Sequence, residues 1–175
     1  MFSNCSNKIA ATMKTVLLPT DLQIESLNLL NQAIYKNSGS LLNIILAAGI
    51  RTPNSIMELL FPSVDEESLV PTNFKTAYQI IKNRNASVVN SIRVEFFRGL
   101  TRNAARNFIN AKCVDEIFLP RDYKLKLNIP EIFDIVSLLK GHSVKTFEVA
   151  WTSPQHMVEK DLFSELFLLG PEFKS

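Results

Sequence analysis

Apolar residues along this chain fall into two rhythms that alternate from one end to the other. Thr15-Val16-Leu17-Leu18 ended by Pro19, Leu41 to Ile50, and Glu116-Ile117-Phe118-Leu119 ended by Pro120 are short apolar runs with no polar face to turn toward water. Runs of this kind mark strands buried on both sides. Ser91 to Phe97 alternates more cleanly, as a strand at a sheet edge does, and Val144 to Trp151 reads as a fifth strand. Between them the spacing changes to that of a helix. Ile24, Leu27, Leu30 and Ile34 share one face, ended by Asn37-Ser38-Gly39-Ser40. Phe74, Ala77, Tyr78 and Ile81 share another behind Thr72 as cap, and Ala104, Ala105, Phe108 and Ile109 a third behind Thr101. Asn128, Pro130 and Glu131 predict the start of a fourth helix, with Ile132, Ile135, Val136 and Leu139 inward and Gly141 at its end. Ser153 and Pro154 predict a last helix that carries Val158, Leu162, Leu166 and Leu169 to Gly170-Pro171.

Strands separated by helices need crossover connections, and crossovers make a parallel sheet. The expected fold is therefore α/β: a doubly wound five-stranded parallel sheet between helices, with an extra C-terminal helix. Residues 1–13 are expected as a loose tail, 14–152 as the domain, and 153–170 as the added helix. Arg51 to Pro71 interrupts the rhythm with three prolines and the acidic trio Asp65-Glu66-Glu67; Asn54 could cap a short helix there.

Composition narrows the function classes. The 175 residues are 46% hydrophobic and 21% charged with a net charge of +2, so no global field favours nucleic acid or an acidic membrane. Cys5 and Cys113 are too few for a disulfide framework or a metal site, and unpaired thiols suit a cytoplasmic location. Polar residues break up the first fourteen positions, against a signal peptide, and no apolar run reaches the length of a membrane span. There is no nucleophile elbow, no P-loop and no spaced pair of acids, so nothing in the sequence argues for an enzyme, a pocket of Asp21, Arg51 and Asp122 being what would revive one, and no cofactor is expected. His142 and His156 have no further ligand at metal spacing, and Cys113, set in apolar sequence, is expected as a buried inert thiol.

The opening Met13-Lys14-Thr15-Val16-Leu17-Leu18-Pro19-Thr20-Asp21, with Glu25-Ser26-Leu27 beginning a helix, resembles the start of a universal stress protein. The order of elements is similar from Lys14 to about Ala150. The resemblance implies an adenine nucleotide alpha hydrolase-like fold and, in ATP-binding members, an aspartate beside the adenosine, the place of Asp21. Those members follow the fourth strand with a Gly-x-x-G turn whose bare amides approach the phosphates. Here Leu119-Pro120-Arg121-Asp122-Tyr123-Lys124-Leu125-Lys126-Leu127-Asn128 stands in that place, and no glycine occurs between Gly99 and Gly141. The expectation is a degenerate member that does not bind ATP in the family's usual way.

Ligands of open parallel sheets bind beyond the carboxyl ends of the strands. Asp21, Arg51, Arg98, Arg121 and Asp122, with Thr152, fall there. The arginines could hold a small anionic ligand, or could be solvated rim residues paired with Asp21 or Asp122. Arg98, Arg102 and Arg106 recur at helical spacing and read as a basic solvent face. The last helix is more apolar than one stripe requires, so Val149, Trp151, Leu162, Phe163, Leu166 and Leu169 are expected in a homodimer interface, with packing onto the same chain the other possibility. The functional expectation is a non-catalytic binding or regulatory module. Its rival is a binder of a small anion or nucleotide through the rim arginines.

Overall fold

The computed structural model describes residues 12–51, 65–122 and 124–150. The predicted last helix, with Trp151, Leu162, Phe163, Leu166 and Leu169, and the short helix after Asn54 lie outside these residues. In chain order the elements are β1 (Met13–Pro19), a 3-10 turn (Ile24–Leu27), α1 (Asn28–Lys36), β2 (Leu41–Ile50), α2 (Glu66–Leu69), α3 (Thr72–Arg84), β3 (Val89–Phe97), α4 (Arg102–Ala111), β4 (Glu116–Pro120), β5 (Ile132–Phe133), α5 (Val136–Leu139) and β6 (Lys145–Val149). The sheet runs β3-β2-β1-β4-β6, all parallel, with β5 pairing antiparallel to β2.

The unbroken apolar runs owe their composition to a core on each face of the sheet. Val16 and Leu18 of β1 join one core with Ile44, Leu46 and Phe118, under α1 and α3. Their neighbours Leu17, Ile45, Ala47, Ile117 and Leu119 point the other way, into a second core under α4 and α5. Successive side chains of a strand take opposite faces, so a central strand clothed on both sides can spare no polar position. The edge strands β3 and β6 keep exposed Asn90, Arg93, Lys145 and Glu148. No helix among the described residues is long and apolar enough to cross a membrane.

Local signals explain most boundaries. The Thr101 hydroxyl accepts a hydrogen bond from the Ala104 N–H at 3.2 Å and caps α4, worth ~1 kcal/mol. Thr72 is not the cap of α3; Pro71 takes that place and Thr72 is the first helical residue, its own carbonyl accepting from Thr76. Cys113 is exposed rather than buried. It follows α4 in the left-handed region, φ 50°, where the Val114 and Cys113 N–H groups return to the Ile109 and Asn110 carbonyls. That is a Schellman ending with a cysteine in the position that glycine ordinarily fills.

The largest departure follows β4. Asn128, Pro130 and Glu131 start no helix. The Ile132 N–H bonds to the Ile129 carbonyl at 3.0 Å, which closes a turn around Pro130, and the chain then pairs with the end of β2 as β5. Only α5, a single turn, remains of the predicted helix, begun by the Asp134 carboxylate on the Val136 N–H at 2.7 Å. A proline with φ near −65° suits the second position of a β-turn as well as the first turn of a helix. The apolar pattern still reports burial, because Ile132, Ile135 and Leu139 are all in the cores. The five expected parallel strands are all present, and β5 adds a sixth, antiparallel one.

At the amino edge of the sheet Glu116, 4% exposed, joins β1, α1 and β4. It accepts from Lys14 Nζ at 3.1 Å and Asn37 Nδ2 at 3.0 Å, with Lys145 Nζ at 3.7 Å. Burial alone would push this carboxyl up; the hydrogen bonds from Asn37 and Lys14 and the charges of Lys14 and Lys145 outweigh it and hold it below the ordinary range. A lowered folded-state value means that its contribution is complete above the unfolded value, about 4.3, and is lost as pH falls through the folded one. Glu116→Gln is expected to cost about 2 kcal/mol at neutral pH, since one buried acceptor and its charge are lost. As pH falls from about 4.3 through the lower folded-state value the variant and parent should converge in thermal melts, and a difference that stays constant across that range would show that the carboxylate's charge contributes nothing.

Candidate functional site

The strand order reverses beside β1, whose neighbours β2 and β4 continue the sheet in opposite directions. Beyond the carboxyl ends of β1 and β4 such a sheet opens a crevice, and there open α/β folds hold their ligands. Asp21 stands at this point, two residues past Pro19.

The turn that carries Asp21 is a closed polar knot. Thr20, Asp21 and Ser26 are 1%, 1% and 2% exposed. The Ser26 hydroxyl donates to the Gln23 carbonyl at 2.8 Å, so the Thr20 hydroxyl is the donor in its 2.7 Å contact with Ser26. Thr20 Oγ1 accepts in turn from the Leu22 N–H at 3.0 Å. Leu22 is held in the left-handed region, φ 61°, at a cost of ~1–2 kcal/mol that burial of its side chain offsets.

Asp21 Oδ1 accepts from the Gln23 N–H at 3.0 Å, and Oδ2 accepts from the Lys126 N–H at 2.7 Å. The second bond comes from the segment that follows β4. Lys126 Nζ also pairs with Glu25 at 3.2 Å, a second tie to the same turn. From there the chain crosses the carboxyl edge. Ile129 packs on one core, Ile132 is buried in it, and Phe133 and Ile135 enter the other.

Gly49 is what lets the crossing segment dock. Its partner on one side is Phe97 of β3, so β5 lies on the opposite side, where β1 has already ended at Pro19 opposite Ala47. A Cβ on Gly49 would stand 2.5 Å from Ile135 Cγ2 and 2.7 Å from the Phe133 carbonyl oxygen. Over the bare glycine Phe97 and Phe133 meet with ring centroids 6.3 Å apart. The Arg51 N–H reaches the Glu131 carbonyl at 2.8 Å and completes the seam.

The candidate ligand residues are spread along this edge. Arg98, past β3, forms an ion pair with Glu66 of α2. Arg51 follows β2 and is exposed, as are Arg121 and Asp122 after β4, where the Arg121 N–H extends the β4–β6 pairing to the Val149 carbonyl at 2.8 Å. Only Asp21 is buried, and it is engaged by backbone amides. Val149 is half-buried at the end of edge strand β6. Sequence reasoning did not single out Thr20, Ser26, Gly49 or the Lys126 amide. The one available signal was Gly49, a glycine inside a strand, which marks close backbone approach. Among the described residues no three His, Cys, Asp or Glu side chains gather to hold a metal.

No family model and no curated protein matches the chain in sequence. Solved structures do match in fold. The universal stress protein UspA from Lactobacillus plantarum is 12% identical, with 81% of this chain and 99% of that one covered, at a TM-score of 0.52. The hypothetical protein MJ0577 is 15% identical over 80% of this chain and 97% of its own, also at 0.52. The chain has the α/β fold of these proteins.

Gly49→Ala should lower stability by roughly 1–3 kcal/mol in urea denaturation, because the new methyl must push Phe133 and Ile135 off β2. A midpoint unchanged from the parent would show that the crossing segment does not press on Gly49.

Proposed function

We propose that this chain is a non-catalytic binding or regulatory module of universal-stress-like fold that does not take ATP in the crevice at its carboxyl edge. One observation supports the reading above the others. The carboxylate that would face an adenosine, Asp21, is 1% exposed and already accepts hydrogen bonds from the Gln23 and Lys126 amides. The segment after β4, which in ATP-binding members of the family would offer glycine amides to the phosphates, here spends its own amides on this chain. The Lys126 N–H goes to Asp21 and the Ile132 N–H to Ile129. The same segment lacks glycine throughout, so its side chains stand where phosphate oxygens would need to come close.

A homodimer is the second part of the proposal. Among the described residues β6 pairs only with β4 and leaves one edge unpaired, and the sequence that follows is strongly apolar. Unpaired edges and apolar surfaces are commonly covered by a second copy.

A thermal-shift series tests the first part, since any ligand of the folded state raises its midpoint. Millimolar ATP and AMP are expected to give no rise beyond that of inorganic phosphate at the same concentration; a larger rise with either nucleotide overturns the reading. For the second part, light scattering is expected to report twice the 19.8 kDa chain mass, falling to one chain in Leu162→Asp/Leu166→Asp. A dimer that survives both substitutions would remove that segment from the interface.

A further inference from the structure

We propose that a cleft between α4 and the turn before β6 binds a small tetrahedral oxyanion, a free phosphate or the phosphoryl end of a small metabolite. The cleft lies toward the amino ends of the strands, away from Asp21, and does not depend on the function proposed above. It has a volume of about 220 Å3, with Arg106, Asn110, His142 and Ser143 around it and Ile109 and Val144 beneath. Ile109 is buried and Val144 packs on the core of that face, so the floor is apolar and fixed.

The walls are donors. Arg106 offers a guanidinium, Asn110 an amide and Ser143 a hydroxyl. His142 is oriented by a bond from its Nε2 to the Leu138 carbonyl at 2.8 Å, which holds the ring in place as one wall. One turn earlier on α4, Arg102 lies against the same turn. Both its terminal nitrogens are 3.8 Å from the point where a Cβ on Gly141 would stand, and Gly141 adopts φ 76°. A side chain there would touch that guanidinium at ordinary contact distance and would be strained by the left-handed backbone.

Around this cleft, among the described residues, the neighbouring cations have acidic partners and these two arginines do not. Arg98, earlier in the same row, pairs with Glu66, Lys112 with Glu95, Lys140 with Glu148 and Lys145 with Glu116. Among the described residues Arg102 and Arg106 have no carboxylate within ion-pair distance, and residues 101–114 and 135–147 contain no acid at all. Two cations beside neutral donors and an apolar floor suit an anion, and a guanidinium meets tetrahedral oxygens in paired hydrogen bonds. Size sets the class. Sites for drug-sized ligands are ~300–1,000 Å3, and this cleft admits a phosphoryl group with a short appendage but not a nucleotide.

Calorimetric titration of the full chain with sodium phosphate and with glycerol 3-phosphate, at ionic strength held constant with sodium chloride, tests the site. Binding is expected, and Arg106→Gln, an exposed substitution, is expected to weaken it roughly tenfold. Arg121→Gln, at the opposite edge of the sheet, should leave it unchanged. Tighter binding of the ester assigns the cleft to a phosphorylated metabolite, and equal or weaker binding to the free ion; both support the site. Absence of binding overturns the proposal, as does binding that Arg106→Gln leaves intact or that both variants weaken alike.

Discussion

The absence of a side chain at Gly49 governs the arrangement of the whole carboxyl edge. Because nothing projects from that residue, Phe133 and Ile135 can lie against β2, and the segment after β4 can turn back across the end of β1. Once there, its Lys126 amide meets Asp21 and its Ile132 and Ile135 fill the cores on the two faces. The same apolar burial that fastens the sheet together therefore fastens a peptide over the strand-order reversal. Buried area drives this, at about 25 cal/mol per Å2 of apolar surface, and the hydrogen bonds at Asp21 fix the register.

Amides are finite, and this is what links fold to function here. A phosphate site in an open α/β sheet works by leaving peptide N–H groups unsatisfied until the ligand arrives. In this chain the corresponding segment has resolved its own hydrogen bonding through a turn at Pro130, a two-residue strand and an acceptor at Asp21. On the function proposed above, a nucleotide would have to compete with the Lys126–Asp21 bond before gaining one of its own. The strained Leu22 and the closed Thr20–Ser26 relay act in the same direction, because they fix the Asp21 turn before any ligand is present.

Much of this was legible in the residues. Doubly buried β1, β2 and β4 were readable because two-sided burial leaves no polar position, and the edge character of β3 because one-sided burial does. The Thr101 cap was readable because a hydroxyl before a helical pattern has one dominant use. Helix and strand could not be separated after Asn128, where proline and acid serve a turn equally well and a short apolar pattern predicts burial without conformation. Exposure of Cys113 was hidden for a related reason: apolar neighbours reported the end of α4 correctly, but not that the chain reverses hand there. The Asp21 position was legible through its Pro-x-Asp turn, whereas its partner Lys126 lies 105 residues away and carries no local signal.

The two edges of the sheet divide the electrostatic labour. At the amino edge Glu116 gathers Lys14, Asn37 and Lys145 around a buried carboxylate, and charge is spent on holding strands to α1. On either side of α4 the cations Arg98 and Lys112 are likewise matched by Glu66 and Glu95 from other elements. Around the α4 cleft, then, the neighbouring cations Lys140 and Lys145 also have acidic partners, Glu148 and Glu116. Among the described residues Arg102 and Arg106 have no such partner, and they stand beside a cleft where Asn110 and Ser143 can donate hydrogen bonds. Two unmatched guanidinium groups one helical turn apart repel each other, by a few tenths of a kcal/mol at an exposed surface. An anion seated between α4 and the Gly141 turn would remove that repulsion and gain the donors at once, which is the physical ground of the site proposed there.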